Sequence, residues 1–363
     1  MQNDSKHSEW LHRGKRVAHP SLAEFIRRMP KAELHIHLEG SISPRTLLEL
    51  ATKNGTDLAA SDLVGVEQLF RYDNFLGFLD VYRACARCLL KGEDFERVAY
   101  EMARDLADQN VRYAEVMLSP AQHMQRNMDF DEILGGVAGG FARANREFGI
   151  VCRPAFDFGR QFSLEQALRA VELAQAGMDY GVVAFSIGGD EANYPPEPFV
   201  EVFAVAKAVG LHVMAHAGEV AGANSVRGAI EMLGVDRIGH GFRVLEDPEL
   251  TAILARRGDI TFDVCPTSNI KTGVIATIDQ HPLRRMLDAG LPITLNSDDP
   301  TLFDTTVTGE FILAADHFAF TTDEICAVAL QGIRGAFMPA AERQFLLAQF
   351  KAEQTALRQE LGI

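Results

Sequence analysis

The sequence contains few cysteines, and they do not form the pattern that a disulfide framework needs. Five are spread thinly along 363 residues, an odd number, at Cys85, Cys88, Cys152, Cys265 and Cys326. Small secreted domains stapled by disulfides carry an even and denser set. Cys85 and Cys88 make a C-x-x-C pair, but no second Cys or His pair follows at zinc-finger spacing. We therefore expect these two cysteines to pack within a helix.

Long hydrophobic runs are also absent from the sequence. A membrane-spanning helix needs about 18 or more apolar residues in succession, and no segment reaches that length. The first twenty residues are polar and basic and lack the apolar stretch of a signal peptide. We therefore expect a cytoplasmic protein without a membrane partner. Residues 1–27 would form an N-terminal extension, and residues 28–363 a single domain.

Positive charge is the minority charge in this chain. It has 35 Lys and Arg against 50 Asp and Glu, which gives a formal net charge of -15. Such a surface repels polyanions, and this argues against nucleic acid or an anionic membrane as the partner. A small molecule is the expected ligand, and the sequence leaves open whether the chain forms a homo-oligomer.

Several catalytic motifs are missing. The chain has no H-E-x-x-H, no G-x-x-x-x-G-K-[ST] and no G-x-S-x-G, which argues against a zincin protease, a P-loop enzyme and an α/β-hydrolase. The H-x-E…P-C-x-x-C signature of the cytidine-type zinc deaminases is absent as well.

What the sequence does have is a regular alternation of short apolar runs and longer amphipathic segments. Eight runs rich in Val, Ile and Phe are predicted as strands: Glu33–His37, Arg112–Leu118, Val151–Phe158, Val182–Ile187, His212–Ala217, Arg237–His240, Ile260–Cys265 and Pro292–Asn296. Alternating strands and helices imply parallel pairing with right-handed crossovers. Eight such units predict a (β/α)8 TIM barrel.

Helices are predicted between the strands from apolar spacing and from Gly at the C-terminal ends. They are Phe130–Phe148, Ser163–Ala176, Pro198–Val209, Ser225–Leu233, Pro248–Arg256 and Pro282–Ala289. About seventy residues separate the first two strands, and this insertion predicts further helices at Ser43–Lys53, Asn74–Leu90 and Phe95–Asn110. An insertion after a barrel strand lies over the mouth that holds the active site, so we expect it to act as a lid.

Polar residues recur where the predicted strands end. His35 and His37 lie two residues apart on one strand and so face the same side. His216, His240 and Asp298 end three other strands. Any one of them alone could be a buried structural residue. Because barrel strand ends converge, the whole set predicts three His ligands and a carboxylate around one ion, a donor set that suits zinc.

A site with two metal ions is the alternative to one. Barrel enzymes of that type bridge their ions with a lysine on the fourth strand. The fourth predicted strand here and the residues around it, VVAFSIGGDE at 182–191, contain no lysine. We therefore expect one Zn2+ per chain.

At these positions the sequence resembles the adenosine deaminase family of the amidohydrolase superfamily. The matching segments are PKAELHIHLEGSI at 30–42, GGDE at 188–191, HAGE at 216–219, RIGHG at 237–241, CPTSN at 265–269 and NSDDP at 296–300. The resemblance spans roughly residues 28–335. It implies hydrolytic removal of the 6-amino group of an adenine ring, with release of ammonia.

The resemblance also implies a role for each matching residue. The implied zinc ligands are His35, His37, His216 and Asp298. His240 would position and deprotonate the attacking water, and Glu219 would protonate ring N1. Asp299 would contact N7 and the backbone N–H of Gly189 would contact N3, while His37 and Glu39 complete the implied substrate contacts.

The substrate is less sharply indicated. Many adenosine deaminases have HLDG, where the Asp contacts the ribose, whereas this chain has Glu39 in HLEG, as adenine deaminases commonly do. Adenine deaminases usually lack the GDE triplet that is intact at 189–191. We favour adenosine or another 9-substituted adenine, with 6-amino-6-deoxyfutalosine or free adenine as alternatives. A zinc hydrolase of an amide or a pterin, and a silent metal-stabilised binding protein, are the competing hypotheses.

A few residues have weaker claims on the substrate pocket. Ser119, His123 and Asp157 lie near the ends of the second and third strands and either line the pocket or support it. Phe75, Phe78 and Leu79 in the lid either cover the base or pack in a helical core.

Overall fold

A computed structural model of the chain describes residues 20–72 and 75–363, apart from the side chains of Phe75 and Leu76. Eight strands form one sheet in sequence order, and each pairs in parallel with the next. They are β1 Lys31–His37, β2 Val111–Leu118, β3 Val151–Gly159, β4 Ala184–Gly188, β5 His212–Ala217, β6 Arg237–His240, β7 Thr261–Val264 and β8 Ile293–Leu295. The predicted (β/α)8 barrel and its eight strands are confirmed.

The barrel closes between β8 and β1 through the backbone of Asp298. The N–H of Asp298 donates to the carbonyl of His35 at 2.9 Å, and the N–H of His37 donates to the carbonyl of Asp298 at 2.8 Å. Ile36 and Asp298 form an isolated parallel bridge at this seam. This pairing places Asp298 between the two histidines of β1.

Helices connect the strands around the outside of the barrel. After β2 they are Pro120–Met124, Phe130–Phe148, Leu164–Ala176, Val200–Ala208, Ala223–Gly228, Pro248–Arg257, Pro266–Lys271, Leu283–Asp288, Pro300–Phe303, Val307–Phe318, Thr322–Gly335 and Ala340–Leu361. Phe130–Phe148 begins where the Asp129 side chain accepts backbone N–H groups, and it ends at Gly149 with φ of 75°. The predicted segment Ser225–Leu233 is divided into a short α-helix and a π-helical turn at Ala229–Leu233.

Among the described residues, the insertion between β1 and β2 contains four α-helices, one more than the three that the sequence indicated. They are Pro44–Asn54, Leu63–Leu69, Phe75–Cys88 and Gly92–Asp108. Leu63–Leu69, which the prediction missed, begins where the Asp62 side chain accepts the N–H of Gly65 at 2.8 Å. At seven residues it is too short to show a clear helical period in sequence. Gly92–Asp108 starts earlier than expected because Asp94 caps it.

Cys85 and Cys88 are fully buried within the helix Phe75–Cys88, as expected, and all five cysteines are free thiols. The helix Pro20–Arg28 lies within the predicted N-terminal extension and buries Phe25 and Ile26 against the domain. Residues 1–19 lie outside the described residues. Among the described helices, none is both long enough and apolar enough to cross a bilayer.

A buried ion cluster fills the barrel at the end opposite its mouth. The Arg237 guanidinium lies 2.6 Å from Glu115 Oε2 and 2.6 Å from Asp263 Oδ2, and all three side chains are fully buried. It also stacks over the Phe337 ring at 4.1 Å and donates to the backbone carbonyl of Gly335 at 3.0 Å. Burial raises the pKa of Asp263 to about 7, although Arg237 opposes this. The cluster joins β2, β6 and β7 on the side of the barrel away from its mouth.

We predict that Arg237→Met destabilises the fold by about 3–5 kcal/mol, because it leaves two buried carboxylates without their cation. Urea denaturation of both proteins measures the difference. Arg257→Met is the matched control, since Arg257 pairs with Asp259 at 2.8 Å on the surface and its loss should cost about 0–1 kcal/mol. Equal effects of the two substitutions would contradict a structural role for the cluster.

Candidate active site

The structure brings the four predicted metal ligands to one point at the carboxyl end of the barrel. The ring centroids of His35 and His216 are 4.6 Å apart, and those of His35 and His37 are 5.6 Å apart. Asp298 Oδ1 lies 3.3 Å from His37 Nε2 and 3.6 Å from His35 Nε2. Ligand atoms of His35, His37 and Asp298 all lie within 4.8 Å of one another.

The unmet bonding capacity of these residues fits a metal ion. Both ring nitrogens of His35 are buried and have no hydrogen-bond partner among the described residues. A buried polar group without a partner is costly unless it binds something. His216 donates from Nδ1 to the carbonyl of Ile187 at 3.1 Å, which leaves Nε2 as the free lone pair. Such a second contact is how ligating histidines are usually oriented.

The protonation states also match a metal site. Burial lowers the pKa of His35 and of His216 well below the usual value, so both rings are neutral. Burial alone would raise the pKa of Asp298, but the nearby imidazoles of His35 and His240 hold it well below its usual range. Neutral imidazoles and an ionised carboxylate are the forms that bind zinc.

Three further residues lie within reach of the same point, and one of them, His240, groups with His35 and His216. Asp157 groups with His37 and His216, and Cys265 groups with His240 and Asp298. Burial raises the pKa of Asp157 and raises that of the Cys265 thiol well above its usual value. Both groups are therefore weaker metal donors than Asp298, because a metal binds the deprotonated form.

Two of the residues at this point have unusual backbone conformations. His240 has φ of 58° and Asp298 has φ of 64°, values that favour glycine. Residues other than glycine keep such angles where surrounding contacts hold them, often at functional sites. Here the angle aims each side chain from its strand end toward the centre of the barrel mouth.

Glu219 and Asp299 add two acidic groups beside the predicted metal ligands. Glu219 Oε2 lies 3.7 Å from His240 Nε2, and burial raises the pKa of Glu219. Burial and the neighbouring Asp298 charge raise the pKa of Asp299 well above its usual value. Asp299 Oδ1 has no hydrogen-bond partner among the described residues, although it is buried at the cavity wall. Burial thus shifts both acids toward the protonated form, in which a carboxyl group can donate a hydrogen bond.

The loop that carries Glu219 is held by a second carboxylate. Glu191 accepts the backbone N–H groups of Gly218 at 2.6 Å, Glu219 at 3.1 Å, Val220 at 2.7 Å and Ala221 at 2.9 Å. Four converging N–H groups form an anion-binding nest that fixes the backbone around Glu219. The buried Arg160 donates to the carbonyl of His216 and so holds the same strand end.

A cavity of about 830 Å³ opens onto this group of His and Asp side chains. Its inner wall includes the predicted residues His37, Gly189, His216, Glu219, His240, Asp298 and Asp299. The lid contributes Phe78 and Leu79, and Phe78 stacks on Phe303 with ring centroids 5.0 Å apart. The side chain of Phe75 lies outside the described residues. The insertion therefore covers the mouth, as expected.

Glu39, which was predicted to contact the substrate, is hydrogen-bonded to other side chains in this structure. Its side chain is buried behind the cavity wall, where its Oε1 lies 2.8 Å from His123 Nε2 and its Oε2 accepts Tyr82 Oη at 3.4 Å. Arg126 donates to the other nitrogen of His123 at 2.7 Å, so Nε2 carries the proton that Glu39 accepts. His123 thus supports Glu39, while Ser119 and Asp157 lie on the cavity wall.

Several residues that shape this site were not predicted from the sequence. Ser268 donates to Asp298 Oδ2 at 2.7 Å, and Asn269 contacts His240 Nδ1 at 3.2 Å. Both residues belong to the CPTSN segment, and Glu191 belongs to GGDE. These segments carried the family resemblance and could have identified all three residues. Arg160 had no signal, because it lies in the loop after β3 without a motif around it.

Comparisons of the sequence with known proteins agree with this geometry. A family model described as adenosine deaminase matches residues 30–353. An adenine deaminase of Caulobacter vibrioides is 36% identical over 330 residues, which cover 91% of this chain and 95% of that protein. An aminodeoxyfutalosine deaminase of Streptomyces coelicolor is 37% identical over 321 residues, 88% of this chain and 83% of that protein.

Solved structures give the same result. The crystal structure of an adenine deaminase from Arthrobacter aurescens is 30% identical, with a TM-score of 0.85 over 89% of this chain and 98% of that one. An amidohydrolase from B. ambifaria, with bound Zn, is 30% identical, with a TM-score of 0.88 over 95% of both chains. Since the family model matches most of the sequence and the fold agrees, this chain belongs to the adenosine deaminase family.

Proposed function

We propose that this chain is a zinc-dependent aminohydrolase that removes the 6-amino group of an adenine ring, and that residues 28–363 form its catalytic domain. The observation that carries the proposal is the convergence of His35, His37, His216 and Asp298 at the barrel mouth, beside two acids whose pKa burial raises. The family membership and the relatives named for deamination of adenine compounds support it.

The four ligand residues would hold one zinc ion. When bound, zinc supplies Lewis acidity and lowers the pKa of a water molecule, so that it can attack at neutral pH. His240 lies 3.8 Å from Asp298 Oδ2 and 3.7 Å from Glu219 Oε2, and so faces the position of that water.

The two acids would bind and activate the ring. As water oxygen bonds to carbon 6, electron density moves onto N1, and protonated Glu219 gives its proton to that nitrogen. The proton left on the added oxygen then passes to the amino group, so that the C–N bond breaks, a carbonyl forms at carbon 6 and ammonia leaves. When it is protonated, Asp299 donates a hydrogen bond to N7. N7 carries no proton and can therefore only accept. Both groups match the pattern of a carboxylic acid kept neutral by a buried site.

A 9-substituted adenine is the substrate class that we favour. A cavity of about 830 Å³ is of the size that takes a drug-sized ligand, which is much larger than the bare purine ring. Beyond the ring site its wall includes Gln122, Gln125, Arg126 and Phe162, which offer polar and aromatic contacts to a 9-substituent.

Free adenine is the second candidate, and one observation favours it. The Glu39 carboxylate is already bonded to His123 and Tyr82, so a contact with a ribose hydroxyl would have to compete with these bonds. Relatives named adenine deaminase are among the most similar proteins found.

A comparison of kcat/KM for adenosine, deoxyadenosine, aminodeoxyfutalosine and adenine tests the proposal. Ammonia release and the change in ultraviolet absorbance of the purine measure each rate. We expect at least one 9-substituted compound to react at least about ten-fold faster than adenine, a difference of about 1.4 kcal/mol in transition-state binding. Faster reaction of adenine would move the assignment to the second candidate. No reaction with any adenine compound would overturn the proposal.

We further predict that Glu219→Gln lowers kcat by about 10²–10⁴-fold, because an amide cannot give a proton to N1. KM and zinc content should change little, since the side-chain shape is kept. Glu197→Gln is the matched control, because Glu197 is exposed, and it should keep the wild-type rate. Full activity of Glu219→Gln would remove the N1-protonation role.

A further inference from the structure

A chain of three hydrogen bonds reaches His240 from behind the active site. The backbone N–H of Leu283 donates to His281 Nδ1 at 3.1 Å. His281 Nε2 lies 3.1 Å from Asn269 Oδ1, and Asn269 Nδ2 lies 3.2 Å from His240 Nδ1. The side chains of His281, Asn269 and His240 are all buried.

The direction of this chain is determined at its outer end. A backbone N–H can only donate, so His281 Nδ1 must be the acceptor and cannot carry a proton. Burial lowers the pKa of His281 to about 3, so the ring is neutral and its single proton lies on Nε2. The rings of Phe242 and Phe318 pack near it at centroid distances of 5.7 and 5.9 Å. His281 is therefore a fixed donor toward Asn269.

The orientation of Asn269 follows from that donor. Its Oδ1 must face His281 Nε2–H, and its NH₂ group must then face His240. The opposite orientation would set two donors against each other at His281 in a buried environment, where an unmade hydrogen bond is costly.

We propose that Leu283, His281 and Asn269 hold neutral His240 in the tautomer that carries its proton on Nε2, with Nδ1 as an acceptor. His281 and Asn269 are positioning residues in this arrangement, because they act on the reaction through His240. His240 Nε2–H then points into the cavity beside Glu219 and Asp298.

The consequence concerns the role of His240 and rests on the proposed function. A nitrogen that already bears a proton cannot take one from the attacking water, so the base role that the family resemblance implies is not available to this tautomer. His240 instead donates a hydrogen bond to the attacking oxygen and stabilises the charge that develops there. After Glu219 protonates N1, its carboxylate, 3.7 Å from His240 Nε2, can accept the proton of the water.

The direct test is nuclear magnetic resonance of the zinc-loaded enzyme labelled with ¹⁵N-histidine. The His240 signals are assigned by their loss in His240→Asn. We expect a one-bond N–H correlation at Nε2 of His240 and an unprotonated Nδ1. A proton on Nδ1 in the wild type would overturn the proposal, and this measurement needs no further variant to fold.

The Asn269→Asp variant provides a second test. It keeps the shape of the side chain but puts an acceptor opposite His240 Nδ1. We expect the His240 proton to move to Nδ1 and kcat to fall at least about ten-fold, with zinc content unchanged. Asn224→Asp, an exposed position that gains the same charge, should leave both the spectrum and the rate as in the wild type. Wild-type tautomer and rate in Asn269→Asp would contradict the proposal.

The two hypotheses can fail separately. A wild-type enzyme that deaminates no adenine compound but shows the Nε2 tautomer would overturn the proposed function alone. An active enzyme with the proton on Nδ1 would overturn the tautomer assignment alone.

Discussion

The backbone pairing of Asp298 with β1 is the interaction on which the site depends. Its N–H and C=O bond to His35 and His37, so the contact that closes the barrel also sets a carboxylate between two imidazoles. The left-handed φ of 64° at Asp298 turns its side chain into the mouth. Three of the four proposed ligands, His35, His37 and Asp298, thus lie at this seam of the sheet, which would give a metal site rigid support.

Burial and neighbouring groups then shift the pKa of each group in a different direction. The pKa values of His35 and His216 are lowered, that of Asp298 is held low by the surrounding imidazoles, and those of Glu219 and Asp299 are raised. Groups of the same chemical type thereby take opposite roles, since the imidazoles surround Asp298 while its own charge raises the pKa of Asp299. The lid contributes Phe78 and Leu79 to the wall of the cavity above this cluster.

Sequence predicted the barrel and the ligand set because both follow from periodic rules. Alternating strands converge at one end, and polar residues at those ends, such as His216 and Asp298, must meet. Residues whose role depends on the direction of a hydrogen bond could not be predicted in this way. The four N–H groups on Glu191 and the bond of His281 to Leu283 depend on loop geometry that no local pattern encodes. Glu39 was expected at the substrate, and its burial behind the wall depends on His123 from the next strand–helix unit.

The central claim is that four side chains from distant segments bind one metal ion. Metal analysis of the purified chain beside Asp298→Ala and His216→Ala tests it most directly, with circular dichroism to verify that each variant is folded. The account predicts about one equivalent of zinc per chain in the wild type and at least about ten-fold weaker binding in each variant, the scale of losing one well-placed ligand. A folded wild-type protein without a transition metal, or variants that bind zinc as tightly as the wild type, would contradict it.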